Sequence, residues 1–224
     1  MSKRRAAIYG GTFDPVHNGH MTVARSVSQL FGLDELIFVP AFVPPHKRGA
    51  GISPAFHRFA MLALATEDDT GFRISTVELD EPERPYAVET VARLQDQLGQ
   101  NCRLFFIMGA DSWAEITTWF EWQRLLGMCD QIVVTRPGHE LGVETLPAEH
   151  RRVADVRGQS EEDVSALIDS QSEPCTFLTD AAILDVSATA VRAAARSNDR
   201  EKLRESVPAE VANYIEKYEL YQLA

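Results

Sequence analysis

Cysteine is scarce in this chain: Cys102, Cys129 and Cys175 are the only three in 224 residues. The number is odd, the spacing is wide and no C-x-x-C pair occurs, so neither a disulfide framework nor a cysteine-based zinc site is expected. Thiols used this way are those of a reducing compartment, and a cytoplasmic protein is the simplest outcome. Long apolar runs are also missing, so no membrane association is expected. The basic start Lys3-Arg4-Arg5 meets Gly10-Gly11 and Asp14 too soon for a secretory signal. Positive charge is short as well. Lys and Arg number 22 against 33 Asp and Glu, for a net charge of −11 and a pI near 5.0. A nucleic-acid polymer, which requires a basic face, is therefore not an expected partner. A small anion remains open, because a few N–H groups and local cations suffice to bind one. His46-Lys47-Arg48 and the isolated Arg192 are candidates for those cations.

What is present is an ordinary globular composition, 45% hydrophobic and 25% charged. The length suits one α/β domain with a small C-terminal extension. Strand-like and helix-like segments alternate. Strands are expected at residues 5–9, 35–39, 72–77, 104–108 and 131–135, with a last one at 175–179. Helices are expected from Asn18 to about Gly32, over 54–65 and over 86–98. The run Leu104-Phe105-Phe106-Ile107-Met108 is continuous and apolar, as for a central parallel strand covered on both faces. The pattern predicts a doubly wound, mostly parallel Rossmann-like sheet with helices on both faces and sites at the strands' C-terminal ends. Residues 1–185 form this core, within which 138–172 read as a surface insertion carrying a helix near 160–168. Residues 186–224 read as a helical C-terminal segment, with Pro208 opening the final helix.

The most telling stretch is Gly10-Gly11-Thr12-Phe13-Asp14-Pro15-Val16-His17-Asn18-Gly19-His20. A strand, a glycine turn and a helix N-terminus in that order make an anion site. His17 and His20, three apart in the first helical turn, can point the same way. Two imidazoles aimed at bound phosphates can donate hydrogen bonds to oxygens that gain charge as a P–O bond breaks. Further along, Val186-Ser187-Ala188-Thr189-Ala190-Val191-Arg192 opens a C-terminal helix. Ser187 suits its N-cap, and the following N–H groups, the Thr189 hydroxyl and the Arg192 guanidinium could take a phosphate tail.

The His17-Asn18-Gly19-His20 element resembles the (His/Thr)-x-Gly-His signature of the nucleotidylyltransferase superfamily. The remaining motifs follow the order found in bacterial nicotinate-nucleotide adenylyltransferases. They are Pro44-Pro45-His46-Lys47, Arg58-Phe59-Ala60-Met61-Leu62, Tyr86-Ala87-Val88-Glu89-Thr90, Gly109-Ala110-Asp111 with Trp119, Arg136-Pro137-Gly138 and Val186 through Arg192. The closing Val211-Ala212-Asn213-Tyr214-Ile215 with Leu220-Tyr221 fits too. Two positions depart from the pattern: Ala87 stands where the family has Thr, and Ala188 where it has a second Ser.

The resemblance implies transfer of an adenylyl group from ATP to nicotinate mononucleotide, a step of NAD biosynthesis. It implies that His17, His20 and Arg192 act on the ATP phosphates, helped by Ser187 and Thr189 and by the backbone of Gly10, Gly11, Thr12 and Phe13. Gly109 and Asp111 would lie at the adenosine, Lys47 and Arg136 at the mononucleotide phosphate. Val88, through backbone N–H groups, and Trp119, by stacking, would hold the pyridine ring. Mg²⁺ would be carried mainly by the ATP phosphates, with no protein metal site. Monomer and homo-oligomer both fit. Pantetheine-phosphate adenylyltransferases usually carry Thr where His17 stands. Glycerol-phosphate cytidylyltransferases lack the Trp-bearing segment and the Arg-Pro-Gly element. A nucleotide-sensing module without catalysis sits poorly with His17, His20 and Arg192 together.

Overall fold

A computed structural model describes residues 3–42, 51–80, 86–135, 152–180 and 186–222. Seven strands form one sheet in the order β3-β2-β1-β4-β5-β7-β6, and every pairing in it is parallel. The strands are β1 (Arg4–Gly11), β2 (Glu35–Pro40), β3 (Phe72–Ile74), β4 (Cys102–Gly109), β5 (Asp130–Val134), β6 (Val153–Asp155) and β7 (Thr176–Thr179). Helices cover both faces, so the expected doubly wound Rossmann-like architecture holds.

Alternation along the strands assigns side chains to two cores. Ala7, Leu36, Phe38, Phe105, Ile107 and Phe177 face one side. Ala6, Ile8, Ile37, Val39, Leu104, Phe106 and Met108 face the other. Successive strand residues point to opposite faces, which is why β4 must be apolar throughout. On the first face lie α1 (Asn18–Leu30) and α2 (Ala55–Ala65), whose inward residues include Met21, Ala24, Val27, Met61 and Leu62. The second face holds α3 (Val77–Asp80), α4 (Ala87–Leu98), α5 (Ala110–Ala114), a 3₁₀ turn (Ile116–Thr118) and α6 (Trp122–Met128).

Two expectations need correction. The third strand stops at Ile74, and residues 77–80 form a helical turn instead. Ser75 Oγ accepts the Val77 N–H at 3.3 Å and the Thr76 carbonyl accepts Leu79 and Asp80 N–H, so local capping outcompetes the ladder of an edge strand. The stretch 138–172 is not simply a surface insertion. Its residues 138–151 lie outside the described ones, but 153–155 form the edge strand β6. Residues 161–170 form α7 (Glu161–Ser170), whose Val164 and Ile168 are fully buried in the first core. Charge on the outer side of α7 masked its apolar stripe in the sequence.

The C-terminal segment folds as α8 (Ala188–Arg196), α9 (Arg200–Ser206) and α10 (Ala209–Lys217). The Asp199 side chain accepts the Lys202 N–H and restarts the chain after α8. Val191, Leu203, Val211 and Ile215 join the same core as α1 and α2, so the segment reaches the loop that follows β1.

Candidate active site

The strand order reverses between β1 and β4: β2 and β3 extend one way, β5 the other. In such sheets a crevice opens at the C-terminal ends of the two central strands. Gly10 and Gly11 end β1 there, and Gly109 ends β4.

The chain leaves β1 through a tightly held turn. A Cβ on Gly11 would come within 2.8 Å of the Phe13 ring, so only glycine lets that ring fold under the strand end. Phe13 itself has φ 49°, and its ring is almost fully buried. Four groups from distant parts of the chain then hold the turn. Arg58 of α2, buried, donates to the carbonyls of Thr12 (2.8 Å), Phe42 (2.8 Å) and Ser53 (3.0 Å). Arg192 Nη1 donates to the Asp14 carbonyl at 2.7 Å. The buried Asp14 carboxylate accepts the Ser53 N–H at 3.2 Å and the Tyr221 hydroxyl at 2.8 Å.

His17 is the N-cap of α1 and His20 lies in its first turn, as expected. Their rings stack with centroids 3.7 Å apart. His20 Nδ1 accepts the His17 backbone N–H at 3.2 Å, which leaves Nε2 as the protonated, donating nitrogen of the neutral ring. Phe13 (5.0 Å) and Tyr9 (6.1 Å) meet the His20 ring edgewise. Burial pushes His17 down to about 4, and burial followed by the adjacent His17 holds His20 well below the ordinary histidine range. Both rings are therefore neutral at pH 7. His17 Nδ1 is buried without a hydrogen bond, and a Cβ on Gly19 would press within 3.0 Å of it, so the glycine at 19 is required by His17.

Ser187 caps α8, accepting the Ala190 N–H at 3.2 Å, and Arg192 Nη2 lies 3.3 Å from Thr189 Oγ1. Through the Asp14 contact the structure brings this element against the His17–His20 turn. Asp111 is exposed in the first turn of α5, directly after Gly109. Val88 sits in the first turn of α4 with its side chain fully buried, so only its backbone can meet a ligand. The Tyr86 carbonyl takes the N–H groups of Glu89 and Thr90, and the first N–H groups of a helix have no partner within it. Trp119 is half-buried, edge-on to Phe106 with centroids 6.2 Å apart. It does not share a helix face with Trp122, because the left-handed Glu121 (φ 49°) separates the 3₁₀ turn from α6. Trp113 is a core residue. Lys47 and Arg136 lie outside the described residues.

Three groups of this site had no role assigned from the sequence: Asp14, Arg58 and Tyr221. Each stands inside a motif, but its partner is 39 or more residues away for Asp14 and Ser53, and 207 away for Asp14 and Tyr221. Among the described residues, no three His, Cys, Asp or Glu side chains gather as a metal site, and no helix is long and apolar enough to cross a membrane.

A family model described as cytidylyltransferase-like matches residues 8–194. A protein of Thermoanaerobacter sp. (strain X514), named as a nicotinate-nucleotide adenylyltransferase, is 34% identical over 218 residues, covering 97% of this chain and 94% of its own. One of the same name from Geobacter sp. (strain M21) is 34% identical over 218 residues, covering 97% and 98%. The solved Plasmodium falciparum nicotinic acid mononucleotide adenylyltransferase complexed with NaAD superposes with a TM-score of 0.70 over 97% of each chain. At 19% identity it speaks to the fold alone.

Proposed function

The chain belongs to the cytidylyltransferase-like family, among its nicotinate-nucleotide adenylyltransferases, and we propose that it carries out the reaction of that name. An oxygen of the nicotinate mononucleotide phosphate attacks the α-phosphorus of ATP. The bond from that phosphorus to the β-bridging oxygen breaks, giving nicotinate adenine dinucleotide and pyrophosphate. The observation that carries this reading is the pair of stacked imidazoles behind the glycine turn, at the crevice between β1 and β4.

The attacking phosphate is already ionised near pH 7, so no strong base is needed. Catalysis rests on holding the two phosphates in line and on stabilising charge as it develops. His20 offers a neutral Nε2–H to the α-phosphate, and His17 assists beside it. A neutral donor suits this task, because it strengthens its hydrogen bond as the oxygens gain charge and loses no proton. The N–H groups of the 10–13 turn face the phosphates. Arg192, with Thr189 and the Ser187-capped end of α8, takes the β- and γ-phosphates.

Gly109 permits close approach of the adenosine, and Asp111 meets its ribose. Trp119 stacks on the pyridine, whose carboxylate accepts N–H groups at the start of α4 near Val88. Lys47 and Arg136 act on the mononucleotide phosphate. Mg²⁺ enters with ATP as part of the substrate. The donor set supports this: the Asp14 carboxylate, in the loop that follows the turn, already accepts from Ser53 and Tyr221. The three unbridged cysteines suit a cytoplasmic setting. Pyrophosphate release from ATP, measured against nicotinate mononucleotide, phosphopantetheine and glycerol phosphate as acceptors, tests the assignment. The first alone is expected to support turnover, and release with either of the others in its place overturns it.

A further inference from the structure

The C-terminal turn after α10 is built at a cost. Glu219 (φ 50°) and Tyr221 (φ 68°) both hold left-handed backbone, which a bulky side chain such as tyrosine rarely adopts. Such a conformation persists only where surrounding contacts fix it, and it points to a reason for the strain. Leu220 N–H bonds to the Ile215 carbonyl at 3.1 Å, and Leu220 and Tyr221 pack against the first core. The turn thereby delivers the Tyr221 hydroxyl to Asp14 Oδ1 at 2.8 Å, inside the loop between the glycine turn and His17. Burial first, and the Asp14 carboxylate second, raise the phenol far above its ordinary range, so it stays a donor.

Asp14 is the joint of that loop. Its carboxylate receives Tyr221 and Ser53, and its carbonyl receives Arg192. Anything that fixes the Asp14 side chain therefore also fixes the carbonyl on which Arg192 is seated and the entry to His17. We propose that Tyr221 is a positioning residue that latches the ATP phosphate loop through Asp14, a role resting on the adenylyltransferase reading above. Tyr221 touches neither substrate; it sets where Arg192 and His17 stand when ATP arrives.

The test is Tyr221→Phe, which removes one oxygen and keeps the ring in the core. Since small misplacements of a positioned group cost up to about a hundredfold in rate, kcat/KM for ATP should fall about tenfold or more. The KM for the mononucleotide should stay within about twofold, as its proposed ring site, at the start of α4 and Trp119, packs against the other core. In an Asp14→Asn background the same substitution should add less than about twofold, because the two residues act as one unit. Wild-type ATP kinetics in Tyr221→Phe, or equal losses for both substrates, overturn the proposal.

A measurement on the unaltered protein covers the case of a variant that does not fold. A non-hydrolysable ATP analogue should slow hydrogen exchange across residues 216–222, and unchanged exchange there contradicts the latch. Calorimetry with the analogue keeps this claim apart from the activity. A chain that binds the analogue but makes no dinucleotide refutes the proposed reaction. A chain that makes dinucleotide while Tyr221→Phe keeps the wild-type kcat/KM for ATP refutes only the latch.

Discussion

Replacing His20 with alanine separates catalysis from binding. The ring sits between Phe13 and Tyr9, and its Nδ1 is occupied by the His17 N–H at 3.2 Å. Its one free polar group is therefore Nε2–H. Loss of a donor aimed at charge developing in the transition state typically costs about 10²–10³ in kcat, or ~2.7–4 kcal/mol. ATP affinity should fall much less, because the N–H groups of the turn and Arg192 remain. The substitution also strands the His17 N–H, at a stability cost of about 1–3 kcal/mol. For a chain of this length that lowers the melting temperature by roughly 2–12 °C. Rates are therefore best taken near 25 °C, from pyrophosphate release at saturating substrates, with ATP-analogue affinity from calorimetry. A folded His20→Ala protein with kcat within about threefold of wild type would refute the assignment of the catalytic donor.

Acid should destabilise the unliganded protein in a defined window. Below pH 6.5 the unfolded chain protonates His17 whereas the folded one resists until about pH 4. Stability complete above pH 6.5 is thus lost as pH falls towards 4, by about 3 kcal/mol from this group. Melting temperatures of His17→Asn should decline less over that range than those of wild type, and parallel declines would contradict the burial argument. Arg58→Met leaves three part-buried carbonyls without their donor and should cost about 3 kcal/mol or more in urea unfolding. A loss under about 1 kcal/mol would show that the turn holds without it. Trp119→Ala should raise the KM for the mononucleotide several-fold and leave that for ATP nearly unchanged. Equal losses would assign Trp119 to packing on Phe106 instead.

The parts of this molecule legible in its sequence are those fixed by near neighbours. Apolar runs marked β1, β2, β4 and β5, and the spacing of His17 and His20 marked the first turn of α1. Pro208 marked the start of α10, where it is the N-cap. Legibility failed where a tertiary contact decided the outcome. It also failed once locally: Val77 was expected to end β3, yet the Ser75 hydroxyl and the Thr76 carbonyl cap a helical turn that begins there. The edge strand β6 has three residues and no apolar run, and exists because β7 offers it a partner. At the site, the sequence indicated which residues could face phosphate. It was silent on Asp14, Arg58 and Tyr221, whose work is to hold the loop from α2 and from the far end of the chain. Their motifs were visible, but no spacing rule links residue 14 to residue 221.

The proposed pyridine site gives the sharpest test of the reaction itself. A carboxylate accepts N–H groups through both oxygens, whereas an amide turns an NH₂ towards the same donors. On the proposed site, with Ala87 where the family has threonine, discrimination rests on the N–H groups at the start of α4. A buried mismatch of this kind costs ~1–3 kcal/mol, roughly ten- to a hundredfold in specificity. The decisive measurement is a competition: limiting ATP, equal concentrations of nicotinate and nicotinamide mononucleotides, and chromatographic separation of the two dinucleotides. At least about tenfold more of the acid dinucleotide is predicted. Equal amounts, or no dinucleotide at all, would contradict it.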